Sequence, residues 1–324
     1  MTMDWKHKDR SVSLSMPRVV PSLIKQFAHL HDGKLALSPA VYVPPTYGET
    51  IQFVRDDTSP RLSDALIKDV QSIVGITLHY ARTIDTTILP QVNFIASEQS
   101  HPTEQLLAAV VRLLQYLAAY PCNVLVLRAC DMVYYIQSDA SYQSRRSSRS
   151  VAGGVHYLGN HNQPFHINAP FLAMSSLVSV VCASAAEAEY AALFMNARLG
   201  EVHRTILAAF GYPQDPTPIY CDNSTAIGLA NKTVKPKQAK AMDMRFHWIQ
   251  DRVQQGHFVV IWRNGPNNLA DFFTKILPVH VHQEIMHLLV YAPRYRGTKK
   301  RILPKNQIMT SKQVKGMLEY KSPP

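Results

Sequence analysis

Hydrophobic residues recur along this chain first at helical spacing and later at the spacing of strands. The opening is mixed. Ser11-Val12-Ser13-Leu14-Ser15-Met16 alternates as a strand does, and Pro17 to Phe27 has the pattern of a short amphipathic helix. His31 to Pro60, with Pro39, Pro44, Pro45 and Pro60, reads as extended loop. Three apolar stripes follow. Leu66, Ile67, Val70, Ile73, Val74 and Leu78 form the first, ending near Asp85, and Leu89, Val92, Phe94 and Ile95 the second. The third begins after Pro102-Thr103-Glu104 and runs through Leu106, Leu107, Val110, Leu113, Leu114 and Leu117, until Tyr120-Pro121 ends it.

From Asn123 the period shortens. Val124 to Leu127 is apolar, Met132 to Ile136 leads into Asp139, and Val151 to Leu158 and Phe171 to Val181 predict two more strands. Ala183 to Tyr190 opens an alanine-rich helix reaching about Phe210. Ile219 to Cys221 then reads as a short buried strand, with Asn223 or Ser224 as the cap of a helix from Thr225. Lys232 to Gln255 is basic and then helical, Phe258 to Trp262 is a strand, and Asn267 to Asp271 begins a further helix. This order predicts an α/β fold, a mixed sheet with helices on its faces, behind a mainly helical segment.

Composition narrows the class. The net charge of +11 and pI near 9.5 favour a polyanionic partner. Cys122, Cys130, Cys182 and Cys221 show no zinc spacing and read as reduced, mostly buried thiols. The polar start is neither a signal nor a transit peptide, and no apolar run approaches the roughly 18 residues of a membrane span. The expectation is an intracellular chain, not secreted and without a membrane partner, with cytoplasm and nucleus left open. The abrupt start, without turn or cap signals, reads as a piece of something longer.

The candidate chemistry lies in four acids at the ends of predicted elements. Asp139 ends a strand, Glu189 starts the long helix, Asp222 ends the next strand, and Asp271 starts the last helix. Asp222 alone reads equally well as a helix cap. Four carboxylates brought together would repel unless hard cations neutralised them, and Mg²⁺ takes such oxygen ligands. Two ions about 4 Å apart activate a water and stabilise the leaving oxygen of a phosphodiester. Glu187 and Glu189 stand about 200° apart around a helix, so they cannot both face one site.

The motifs Ser138-Asp139-Ala140, Ala185 to Tyr190, Tyr220 to Asn223, Met242 to Ile249 and Asn268 to Lys275 come in the order and rough spacing of a known domain. They resemble the ribonuclease H domain of copia-type LTR retrotransposon polyproteins, over about Met132 to Pro278. Ile73 to Arg82 and Pro102 to Leu117 resemble the segment joining that family's reverse transcriptase to its ribonuclease H, and Met3 to Phe27 the end of the polymerase region. The resemblance implies a ribonuclease H-like fold, a mixed five-stranded sheet with flanking helices. It also implies cleavage of the RNA strand of RNA–DNA hybrids. Asp139, Glu189, Asp222 and Asp271 would be both catalytic and metal-binding, on a two-ion Mg²⁺ site that Mn²⁺ could substitute. The rest of a retrotransposon polymerase is a further expected partner. The expected division is 1–66 as polymerase remnant, 67–125 as helical connector, 126–280 as ribonuclease H-like domain and 281–324 as a basic, mobile tail.

This chain departs from the family in Ala185-Ala186, where Ser-Thr is frequent, in Ala241-Met242, where many members have a histidine, and in Ile261, where related enzymes place a mobile histidine. No Tyr-x-Asp-Asp motif is present. Asp56-Asp57 lacks the aromatic before it and the apolar strand after it, so it reads as solvated loop, and DNA synthesis is not expected. Arg145, Arg146, Arg149, Lys232, Lys235, Lys237 and Lys240 are candidates to follow phosphates. His280, His282 and His287 read as a solvated helix. A catalytically silent nucleic-acid-binding remnant is the alternative to the nuclease. An integrase-type transferase wants a glutamate about 35 residues past the second aspartate, where His257 and Phe258 stand, and falls away.

Overall fold

The computed structural model describes residues 1–44, 57–233 and 243–292, with side chains of the last segment described from residue 247 onward. The alternating stretch near the start forms strand β2 (Ser11–Ser15), paired antiparallel with β1 (Thr2–Lys6) on one side and β3 (Val124–Arg128) on the other. The apolar run after Asn123 therefore completes the N-terminal sheet. The helical stripes become α1 (Val19–Gln26), α2 (Asp64–Thr83), α3 (Leu89–Glu98) and α4 (Glu104–Ala119). Their apolar faces, including Val70, Ile73, Val92, Val110, Leu114 and Leu117, are buried together. Thr103 caps α4, its hydroxyl accepting from the Leu106 N–H at 3.3 Å.

The same threonine donates to Asp57, which corrects the reading of Asp57 as solvated. Its carboxylate is buried, accepts from the Ser59 hydroxyl at 2.5 Å, and faces Arg146 at 3.4 Å. These hydrogen bonds, led by Ser59 and Thr103, hold its pKa down at about 2. A pair so distant in sequence leaves no local signature. Asp56 lies outside the described residues.

The second sheet contains β4 (Val133–Arg145), β5 (Arg149–Gly159), β6 (Pro170–Leu177), β7 (Thr217–Cys221) and β8 (Phe258–Trp262). Their order is β6-β5-β4-β7-β8. The first three run antiparallel, while β7 and β8 join β4 in parallel, so the sheet is mixed. Helices α5 (Ala185–Ala209), α6 (Ser224–Ala230) and α7 (Asp243–Gln254) follow β6 and β7. Alternation along β4 sends Tyr134 and Ile136 into a core with Tyr190, Leu193, Ile219 and Phe258. Tyr135 on the other face joins Tyr157, Tyr220, Phe272 and Phe273, which merge with the core of α2–α4. The fold is the expected α/β arrangement, a mixed five-stranded sheet with flanking helices, with the helical segment against it, and the apolar cluster crosses the divisions expected at 66/67 and 125/126.

Residues 281–292, expected as the start of the tail, instead pack. Helix α8 (Val279–Leu289) buries His282, Met286 and Leu289, and Tyr291 bridges to Val124. The His282 Nε2 lies 3.2 Å from the Tyr116 hydroxyl, and burial pushes its pKa down to about 4, so a neutral core histidine replaces the expected solvated one. No helix of the described residues is long and apolar enough to cross a membrane.

Helix α5 approaches the sheet closely at Gly200. A Cβ there would lie 2.8 Å from Ile136 Cδ1 and 3.0 Å from Phe258 Cε1. Gly200→Leu should therefore overpack this layer and destabilise the fold by about 1–3 kcal/mol, read as a lower urea midpoint at unchanged slope. A midpoint equal to wild type would show that the layer has room.

Candidate active site

Parallel pairing sets the first two acids. Ile136 pairs with Ile219 and Gln137 with Tyr220, and the same register carried forward puts Asp139 level with Asp222. Adjacent strands lie about 4.8 Å apart. Asp139 sits inside β4, not at its end as expected, because the strand runs on as a hairpin to Arg145. Its buried carboxylate accepts from the Thr274 hydroxyl at 2.5 Å. Asp222 follows β7 directly. Asn223 caps α6, its side chain accepting from the Ala226 N–H at 3.0 Å, which frees Asp222 from that role.

Glu189 enters from the second turn of α5, is buried, and accepts from the Ala140 backbone N–H beside Asp139. Glu187 turns elsewhere. It accepts from the Ala183 N–H at 2.7 Å while the Ser184 hydroxyl accepts from the Glu187 N–H at 3.2 Å, a reciprocal pair that closes the helix start. Ser184-Ala185-Ala186-Glu187 has the spacing of a capping signature, legible from the sequence alone. Asp271 lies in a 3₁₀ turn (Leu269–Phe273), not a full helix. The turn is pinned to β4, since Asn268 Nδ2 donates to the Ser138 carbonyl at 2.8 Å and the Leu269 N–H donates to Gln137 Oε1 at 2.7 Å. Lys275 forms an ion pair with Asp271 four residues back, another spacing legible in sequence.

The acids disturb one another. Burial, then Asp271 and Asp222, push Asp139 up to about 6 against the hydrogen bond from Thr274 and the charge of Lys275. Burial, then Asp139 and Asp222, push Glu189 up to about 9. Asp222 is raised by burial and Asp271. Burial opposes the charge on Lys275, but its hydrogen bond to Asp271 and the fields of Asp139 and Asp222 outweigh it and raise its pKa. One ammonium thus compensates a cluster with several potential negative charges. Ligand atoms of Glu189, Cys221 and Asp222 lie within 4.8 Å of one another. The Cys221 thiol is held protonated by burial and by Glu189, so the usable donors are carboxylate oxygens. That donor set fits a hard divalent cation.

The basic candidates separate into groups. Arg145 stacks over the Phe94 ring at 5.2 Å, and Arg146 pairs with Glu98 at 3.1 Å as well as with Asp57. Arg149 Nε donates to the Val178 carbonyl at 2.9 Å. These arginines tie the β4–β5 hairpin to neighbouring segments, a use set by long-range partners. Lys232 is exposed behind α6, whereas Lys235, Lys237 and Lys240 lie outside the described residues.

No family model matches the chain. It is 29% identical over 212 residues to the retrovirus-related Pol polyprotein from transposon RE1 of Arabidopsis thaliana, covering 64% of this chain and 14% of that protein. It is 28% identical over 228 residues to the Pol polyprotein from transposon RE2 of the same plant, covering 68% and 15%. With the Pol polyprotein from transposon TNT 1-94 of Nicotiana tabacum it shares 25% over 208 residues, covering 64% and 15%. The chain thus spans only 14–15% of these relatives' length. Among solved structures, LC11-RNase H1, isolated from compost by a metagenomic approach, is 15% identical with a TM-score of 0.32. That likeness covers 44% of this chain and 92% of the other. RNase H1 from Halobacterium salinarum NRC-1 is 13% identical with a TM-score of 0.27, covering 42% and 89%. The curated homologues of this chain are copia-type, retrovirus-related Pol polyproteins of plant transposons.

Proposed function

We propose that this chain is a ribonuclease H-type endonuclease that hydrolyses the RNA strand of RNA–DNA hybrids with Mg²⁺. The observation that carries the reading is geometric: ligand oxygens of Glu189 and Asp222 lie within 4.8 Å of each other, and the β4–β7 register sets Asp139 level with Asp222. Asp139, Glu189, Asp222 and Asp271 would hold the ions. When bound, such ions supply acidity to a water and charge stabilisation to the leaving oxygen of a phosphodiester. Thr274 orients Asp139 through its hydroxyl. Glu189 keeps its carboxyl proton at neutral pH until positive charge balances the cluster. The Trp262 indole N–H donates to the Asp222 carbonyl at 3.2 Å, and its exposed ring gives a fluorescence reporter beside the acids.

The test is cleavage of end-labelled substrates by purified protein in Mg²⁺. The hybrid's RNA strand should be cut, while single-stranded RNA and duplex DNA stay intact, because 2′-hydroxyls across a wide minor groove mark the RNA strand. Equal cleavage of duplex DNA would point to a general nuclease. A folded protein that binds hybrid and cuts nothing would leave the silent binding remnant.

A further inference from the structure

We infer that Asn196 is a positioning residue that locks helix α5, and with it Glu189, against the strand carrying Asp139, so fixing the spacing of the cation ligands. The inference rests on the reading of these acids as a cation site. Asn196 lies seven residues beyond Glu189, two turns along the same face of α5, and is fully buried. Its Nδ2 donates to the Gly153 carbonyl at 2.9 Å and the Ser138 hydroxyl at 3.0 Å, and lies 3.0 Å from the Ala192 carbonyl. Its Oδ1 accepts from His156 Nε2 at 3.0 Å. Donation from Nε2 leaves His156 Nδ1 to accept from the Tyr134 hydroxyl at 2.5 Å, which fixes the tautomer.

Those partners stand directly behind the acids. Ser138 precedes Asp139, and Gly153 is the residue that pairs with Asp139 across β4 and β5. One amide therefore joins the helix of Glu189 to the adjacent strands β4 and β5 at the level of Asp139. The fold makes room for it. Gly154, opposite Ser138, has no Cβ, and a Cβ there would fall on the Asn196 side-chain oxygen. Burial holds the His156 pKa down at about 3, so the ring stays neutral and the donor directions persist across the working pH range.

A space-filling role and a positioning role predict different results when the space is refilled without the hydrogen bonds. Asn196→Ala empties the site, and Gly154→Ala combined with Asn196→Ala returns a methyl to it. Three quantities separate the roles: thermal unfolding, Mg²⁺ affinity by calorimetry, and hybrid binding by anisotropy in EDTA. Asn196→Ala should unfold at lower temperature, bind hybrid as wild type does, and bind Mg²⁺ 10–100-fold more weakly, the usual loss when a residue orienting metal ligands is removed. The double variant should regain only the packing part of the lost thermal stability, since the polar partners stay unmet, and keep the weak Mg²⁺ binding.

Mg²⁺ affinity within about twofold of wild type in the double variant would reduce Asn196 to packing and overturn the inference. Should Asn196→Ala fail to fold, the double variant and Ser138→Ala, which removes one acceptor, carry the same comparison. Wild type that binds Mg²⁺ but cuts no hybrid would overturn the nuclease reading alone, since the affinity comparison still decides the role of Asn196. Wild type that binds no divalent ion would overturn both.

Discussion

Asp222→Asn is expected to lower hybrid cleavage by on the order of 10³-fold or more, the scale of loss when a preorganised group is removed from a charged reaction centre. Hybrid binding should survive. The amide keeps the size of the carboxylate but loses its charge, and Asn223, not Asp222, caps α6, so the local fold has no reason to change. Glu189→Gln should be comparably inactive. Glu187→Gln is the matched control on the same helix: its side chain accepts from the Ala183 N–H, which a glutamine oxygen also does, so activity should stay near wild type. Cleavage rates, with circular dichroism for each variant, decide the matter. An inactive Glu187→Gln beside an active Glu189→Gln would mean the other glutamate faces the substrate.

The second large effect couples pH to the cation. Glu189 moves from an ordinary value of 4.5 to about 9 on folding, and Asp139 from 3.8 to about 6. A carboxyl whose pKa is higher in the folded chain holds its proton more tightly there. The stability it lends is complete below the unfolded value and lost as pH rises through the folded one. Below about pH 6.5 the buried, neutral His156 and His282 act in the opposite sense, so metal-free protein should unfold at progressively lower temperature between about pH 6.5 and 9, and Mg²⁺ should stabilise it more at pH 8 than at pH 6. Calorimetry at pH 7 in two buffers of different ionisation enthalpy should show proton release on Mg²⁺ binding. Glu189→Gln isolates the cause, since it should flatten the metal-free slope over the upper part of that window. Wild type and variant with equal slopes would remove Glu189 as the source.

What the sequence could disclose followed the range of the interaction. The stripes of α2, α3 and α4 were legible because each helix buries a face at its own period, and Thr103 announced the start of α4. Order and spacing single out the four acids as candidates, and the structure sets ligand atoms of Glu189 and Asp222 within 4.8 Å of each other. The length of β4 was not legible, since Ser141 to Arg145 continue as a polar, irregular hairpin with a register shift and show no alternation. Asp57 with Arg146, and His282 with Tyr116, escaped for a different reason, since each residue is polar locally and acquires its role only from a partner far along the chain. Asn196 was hidden in an alanine-rich helix, because its meaning depends on the missing Cβ of Gly154.

The wall formed by Tyr135, Tyr157, Phe272 and Phe273 shares one core with α2–α4 and α8. A gene fragment encoding residues 126–280 alone would turn that wall to water, exposing an apolar patch that drives self-association. The acids therefore do not travel as a self-sufficient cassette. Substitutions in α3 or α4 would reach the acids through the shared core, since α3 packs against the turn that carries Asp271.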